Sequence, residues 1–131
     1  LKGVRTYPLR RATRPCLEAL RRNELVCLLG DRDLTGTGIE VEYFGKPARF
    51  PVGPARFSLA TGAPLLPTAM VRQPDDSFVL TFEEPIYPPE NGEKKELVRQ
   101  ITQVVANVCE KHVRPHPEQF ANFFQIWEDE K

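Results

Sequence analysis

The chain has 131 residues, enough for one domain around a single core, and its 18 Lys and Arg against 18 Asp and Glu leave no net field favouring nucleic acid or an anionic surface. Three cysteines without CxxC spacing, Cys16, Cys27 and Cys109, argue against a disulfide framework and a zinc site and read as small apolar core residues in a reducing compartment. No apolar run approaches the roughly 20 residues of a membrane-spanning helix, and nothing resembles a signal peptide.

The charges are unevenly placed. Lys2, Arg5, Arg10, Arg11, Arg14, Arg21 and Arg22 face a single acid, Glu18, in the opening stretch, whereas Glu128 to Glu130 is acidic. The chain starts at Leu1 rather than Met, so the expectation is a part of something longer.

Val4-Arg5-Thr6-Tyr7 alternates and stops at Pro8, which predicts a short strand. Thr13 is placed to cap a helix with Pro15 in its first turn; Cys16, Leu17 and Leu20 form its inward stripe and Asn23 ends it. Leu25 to Leu29 is a continuous apolar run of strand length, the pattern of a strand covered on both faces in the middle of a sheet. It runs into Gly30-Asp31-Arg32-Asp33, a Thr/Gly loop, and a second strand in which Ile39, Val41 and Tyr43 alternate with Glu40, Glu42 and Phe44. Charged groups at the carboxyl end of a buried strand lie where ligands bind in α/β folds, because loop side chains converge there. A capped turn with solvated charges is the plainer alternative.

Gly45 to Pro54, with its glycines and prolines, reads as an ordered connection and not a helix. Pro54 opens a helix through Ala60 with Gly62 as its C-terminal stop. Pro64 to Val71 and Phe78 to Phe82 form two strands around the turn Gln73 to Ser77, and Pro85 to Gly92 is a loop. From Lys95 the apolar period lengthens: Leu97, Ile101, Val104, Val105, Val108 and Val113 predict an amphipathic helix of four or five turns, broken at Pro115 and Pro117. Phe120, Phe123, Phe124 and Trp127 then form an aromatic stripe on a predicted last helix. This order predicts an α/β fold with a mixed central sheet flanked by helices.

No Gly-rich phosphate loop is present, since Gly30, Gly36, Gly38 and Gly45 fit neither nucleotide-binding spacing. His112 and His116 lie at a helix-to-helix corner, and Ser58 and Ser77 have no nearby histidine, so a hydrolase triad has no support.

The run Leu28-Leu29-Gly30-Asp31-Arg32-Asp33, with Gly38 to Ala48, Pro51 to Ala55, Leu59 to Pro67 and the closing Val113-Arg114-Pro115-His116-Pro117-Glu118-Gln119-Phe120, resembles the bacterial lysophospholipid acyltransferase superfamily. Within it, the branch of lipid A lauroyl/myristoyl and phosphatidylinositol mannoside acyltransferases is the most similar. The resemblance covers nearly the whole chain and implies residues 1–131 as one domain, the C-terminal part of an acyltransferase domain. It implies transfer of a fatty acyl group from a thioester, acyl-CoA or acyl carrier protein, to a hydroxyl of a glycolipid or lysophospholipid at the cytoplasmic face of the inner membrane. No cofactor beyond the thioester co-substrate is implied, and no metal and no nucleic acid.

In the superfamily a His-x4-Asp/Glu pair takes the acceptor proton, as general-base catalysis requires. That pair is missing: five residues after His112 stands Pro117, and five after His116 stands Ala121. The resemblance therefore places the base ahead of Leu1 and implies an inactive chain in isolation. It implies that Asp31, Arg32 and Asp33 contact the acceptor headgroup, with Glu40 beside them and Gly53 opening a helix whose amides suit an anion. A second possibility is a non-catalytic α/β domain that binds anionic lipid headgroups or a protein partner.

Overall fold

The computed structural model describes residues 3–123 and 125–127. Its helices are α1 (Thr13–Arg21), α2 (Gly53–Thr61) and α3 (Lys94–Val113), and its strands are β1 (Ile39–Tyr43), β2 (Lys46–Phe50), β3 (Thr68–Arg72) and β4 (Phe78–Phe82). Short 3-10 turns lie at Leu9–Arg11 and Pro117–Gln119. Helices and strands are mixed in the α/β manner, and the described strands form two antiparallel hairpins, β1–β2 and β3–β4.

The alternation along β1 does what its period demands, burying Val41 and Tyr43 and exposing Glu40 and Glu42. Phe44 and Gly45 both take positive φ, 52° and 73°, giving the tight left-handed turn that matches strand twist and brings Lys46 to Phe50 back along β1. The inward faces of both strands meet α3: Val41, Tyr43, Ala48 and Phe50 pack with Ala106. A second cluster joins Val52 and Ala55 at the start of α2 to Val98 and Ile101 on α3, and Ile39 touches both clusters.

Helix α3 is the spine of the molecule. The Glu93 carboxylate accepts from the backbone N–H groups of Lys95 and Glu96, capping its first turn. Its buried face is Val98, Ile101, Thr102 and Ala106, a helical stripe, and the Thr102 hydroxyl donates to the Val98 carbonyl at 2.7 Å so that no polar atom is stranded there. The helix also closes the open edge of β1, where Gln103 accepts from Glu42 N–H and donates to Glu42 C=O, both at 2.8 Å. Glu110 accepts from Phe44 N–H at 2.7 Å.

Several expectations need correction. Val4 to Tyr7 is not a strand; its apolar members are exposed and no ladder partner lies beside it. Thr13 is not the cap of α1, because the helix begins one residue earlier in effect, with Ala12 at the cap. Leu25 to Leu29 carries no regular structure and is not buried: Leu25 and Leu29 are 86% and 83% exposed. Such a run becomes a strand only with neighbours to pair with, and no described residue supplies one.

The stretch Gly45 to Pro54 is not merely a connection, since it holds β2; Pro47 is tolerated because its missing N–H falls in a two-stranded ladder. The third strand begins at Thr68, four residues later than Pro64, with Leu65 bridging Ile86 on its own. Among the described residues no last helix forms from Phe120 onward. Phe123 is exposed, Trp127 bridges Ala48 and donates its indole N–H to the Tyr43 carbonyl at 3.0 Å, and Phe124 and Glu128 to Glu130 lie outside the described residues. Cys16 is buried and Cys109 half-buried, but Cys27 is exposed and so is not a core residue.

Candidate functional site

The loop from Gly30 to Gly38 is organised by Asp33. One carboxylate oxygen accepts from the N–H and hydroxyl of Thr35, at 3.2 and 3.1 Å, and the other accepts from Gly38 N–H at 2.7 Å. Burial pushes this carboxyl up, but the donors from Gly38 and Thr35 outweigh it and hold it below the ordinary aspartate value. Asp33 is thus engaged in shaping the loop. Gly38 is needed for closeness: a Cβ there would lie 2.4 Å from the Phe50 carbonyl oxygen and 2.6 Å from an Asp33 carboxylate oxygen.

Gly30 anchors the front of the loop against the body. A Cβ at this position would lie 3.7 Å from both Pro54 Cγ and Val105 Cγ1, so the loop starts beside the first turn of α2 and the flank of α3. Gly53, the first residue of α2, follows a cap residue, Val52, that offers no side-chain acceptor, leaving the first amides of that helix without the usual side-chain partner. The loop's first residue thus lies beside α2 at Pro54, and Asp31, Arg32 and Asp33 follow it on the same loop. Glu40 is not drawn in: it is exposed on β1 opposite Arg49 in the ladder, and no hydrogen bond or ion pair joins it to the loop.

Asp31 and Arg32 are both half-buried. Arg32 Nε donates to an Asp31 carboxylate oxygen at 3.2 Å, while its two terminal nitrogens donate to nothing among the described residues. A guanidinium held by its inner nitrogen presents its outer fork outward, the geometry that grips phosphate or carboxylate in two parallel bonds.

Beneath the loop lie two further groups that no sequence pattern marks. The Tyr43 side chain is 1% exposed, and its hydroxyl has no hydrogen-bond partner among the described residues. Burial raises its pKa, with the negative charge of Asp31 among the lesser causes. The Cys109 thiol is pushed up to about 11, by burial first and by Asp31 second. The alternation of β1 marked Tyr43 as inward but said nothing of an orphan hydroxyl.

The histidines stand elsewhere. His112 Nε2 lies 2.7 Å from a Glu83 carboxylate oxygen, and both oxygens of Glu83 accept from Lys111 Nζ at 2.8 Å. These bonds, Lys111 first, hold Glu83 below the ordinary glutamate value. The cluster ties the end of β4 to the last turn of α3. The serine hydroxyls are also occupied locally, Ser58 on the Ala63 carbonyl and Ser77 on Asp75. Among the described residues no group of three or more His, Cys, Asp or Glu is arranged to hold a metal ion, and no helix is long and apolar enough to cross a membrane.

Comparison with known proteins gives this geometry its context. A family model described as bacterial lipid A biosynthesis acyltransferase matches residues 2–129. A phosphatidylinositol mannoside acyltransferase of Mycobacterium tuberculosis is 51% identical over 70 residues, covering 50% of this chain and 22% of that protein. One from Mycolicibacterium smegmatis is 31% identical over 119 residues, covering 88% of this chain and 37% of that protein. The chain thus spans well under half the length of these relatives. With the family model reaching over almost every residue, the chain belongs to the bacterial lipid A biosynthesis acyltransferase family.

Proposed function

We infer that the protein serves in transfer of a fatty acyl group from a thioester, acyl-CoA or acyl carrier protein, to a hydroxyl of a glycolipid or lysophospholipid, and that it supplies the acceptor side of the site. The observation that carries this is Arg32, oriented by Asp31 through Nε with its outer nitrogens bonded to no described residue, on a loop whose first residue, Gly30, lies against Pro54 in the first turn of α2. Together they offer donors to a phosphate, while Asp31 keeps acceptor capacity for sugar hydroxyls. Family membership supports the reaction class, and the mycobacterial relatives support a mannosylated inositol lipid among the acceptors. On this reading the work is done at the cytoplasmic face of the inner membrane.

On this reading the base is not among the described residues. Attack on a thioester requires a group that removes the hydroxyl proton as the bond to the carbonyl carbon forms. His112 is committed to Glu83 in a strut between β4 and α3, and His116 pairs with Glu118 at 3.6 Å. Neither stands on the Gly30 to Gly38 loop. In this reading the base is supplied from the part of the acyltransferase relatives that this chain does not cover, the match taking in 37% of the Mycolicibacterium smegmatis protein's length. Incubating the chain with radiolabelled acyl-CoA and phosphatidylinositol mannoside should give no acylated lipid above the protein-free control, and measurable turnover would refute this placement of the base.

A further inference from the structure

The arginines of the opening stretch are not equally engaged. Arg5 and Arg22 pair with Glu24, and Arg14 pairs with Glu18. Arg10 and Arg11, successive residues of the Leu9–Arg11 turn, make no side-chain hydrogen bond or ion pair with any described residue. The turn is held by its own backbone, Arg11 N–H donating to the Pro8 carbonyl at 2.8 Å. Both arginines line a groove of about 710 Å³ whose other lining residues are Pro8, Leu9, Leu34 and Thr35. Leu9 and Leu34 are 62% and 61% exposed, and no acid is among the lining residues.

A lone surface arginine is ordinary, but guanidinium groups on successive residues repel each other, and no lining residue neutralises them. Their planar forks suit phosphate oxygens, and Leu9 and Leu34 suit an apolar stem beside the charge. The groove also shares residues with the loop that carries Arg32. Leu34 and Thr35 follow Asp33 directly, and the Thr35 hydroxyl lies 3.1 Å from an Asp33 carboxylate oxygen and 2.6 Å from the Thr37 hydroxyl. This loop therefore has two cationic places, Arg32 within it and the Arg10–Arg11 pair beside Leu34. Acyl transfer joins two substrates that must be held together. An acceptor headgroup at Arg32 leaves the second place for the donor, and CoA and acyl carrier protein both present their thiol on a phosphopantetheine arm.

We propose that the Arg10–Arg11 groove is the phosphate subsite of the acyl donor. The two guanidinium groups hold the phosphate at the end of the phosphopantetheine arm, and Leu9 and Leu34 cover the start of that arm. This phosphate is the chemistry common to CoA and acyl carrier protein. The proposal rests on the reading of the protein as an acyltransferase that uses a thioester donor.

The test is calorimetric titration of the chain with CoA, 4′-phosphopantetheine, pantetheine and inorganic phosphate. CoA and 4′-phosphopantetheine should bind, and pantetheine, which lacks the phosphate, should bind at least about 10-fold more weakly. Arg10→Ala and Arg11→Ala should each weaken CoA binding about 10-fold. Their circular dichroism and melting should be unchanged, because neither side chain bonds to a described residue. Arg21→Ala, which removes an exposed arginine outside the groove, should leave CoA binding as it was. Titration with holo acyl carrier protein distinguishes the sources: tighter binding than CoA assigns the protein carrier to the groove, and weaker binding assigns CoA. Absence of binding by both CoA and 4′-phosphopantetheine, or unchanged affinity in the Arg10 and Arg11 variants, would overturn the proposal. So would an equal loss in Arg21→Ala, inorganic phosphate binding as tightly as 4′-phosphopantetheine, or displacement of CoA by phosphatidylinositol mannoside vesicles. The readout is donor binding, so its failure leaves acceptor binding at Arg32 and the acyl-transfer reading standing.

Discussion

Asp33 and Gly38 show how much of a loop's shape can rest on two residues. The carboxylate gathers the Thr35 and Gly38 donors, and Gly38 lets β1 pass within contact of the Phe50 carbonyl. Gly38→Ala should therefore force the strand or the carboxylate aside and cost about 1–3 kcal/mol, as overpacking against rigid backbone does, measured by urea denaturation. Tyr43 should respond in the opposite sense. Its hydroxyl is buried without a partner, so Tyr43→Phe removes an unsatisfied polar atom and should leave the chain as stable or up to about 1–2 kcal/mol more stable. A clear loss of stability on that substitution would mean the hydroxyl has a partner in solution. The sequence marked Asp31, Arg32 and Asp33 as one charged set, but only coordinates separate Asp33, which shapes the loop, from Arg32, whose outer nitrogens are unengaged. Loop hydrogen bonds depend on backbone path, and charge spacing does not encode that path.

At the scale of elements, legibility followed periodicity. The helical period from Lys95 to Val113 and the two-residue period of Ile39 to Tyr43 are dictated by the core they face, and both formed where expected. Pro54 and Gly62 marked the ends of α2 because each has a backbone conformation that suits its place, φ being 75° at Gly62. Where partners decide the outcome, pattern failed. β2 carries two turn-forming neighbours and a proline, and exists because the Phe44–Gly45 turn hands it to β1. Phe120, Phe123 and Trp127 have helical spacing but lie in irregular chain, with Trp127 bridging Ala48 in β2 and bonding Tyr43 in β1.

The ties between elements set the acid response. Glu83 holds β4 to α3 through Lys111 and His112, and Glu110 bonds Phe44 N–H and Arg114. Both carboxyls are held below their ordinary value, Glu83 chiefly by Lys111 and Glu110 chiefly by the Phe44 amide. A carboxyl depressed in the folded state binds protons less readily there than in the unfolded chain, so its contribution is present above the unfolded value and lost as pH falls through the folded one. The melting temperature should accordingly fall as pH is lowered from about 6 to about 3, and Glu83→Gln should flatten part of that fall. A melting temperature independent of pH over this range would show that these ties contribute nothing in solution.

For the molecule as a whole, the spine helix α3 carries the β1–β2 hairpin, and the Gly30 to Gly38 loop runs between the flank of that helix and the start of β1. The family was legible in the sequence because its motifs recur in order along nearly the whole chain, and the family model covers residues 2–129. The sheet expected at Leu25 to Leu29 was not realised, because a strand in mid-sheet depends on neighbours that these residues do not contain. The Gly30 to Gly38 loop is nevertheless organised by contacts internal to the chain, and its proposed role is to hold the acceptor. Its test is the affinity of the chain for vesicles carrying phosphatidylinositol mannoside, compared with Arg32→Ala. Losing one charge-assisted contact of about 1.5–3 kcal/mol should weaken binding roughly 10- to 100-fold, with the melting temperature unchanged. Equal affinity for the two proteins would contradict the assignment of Arg32 to the acceptor.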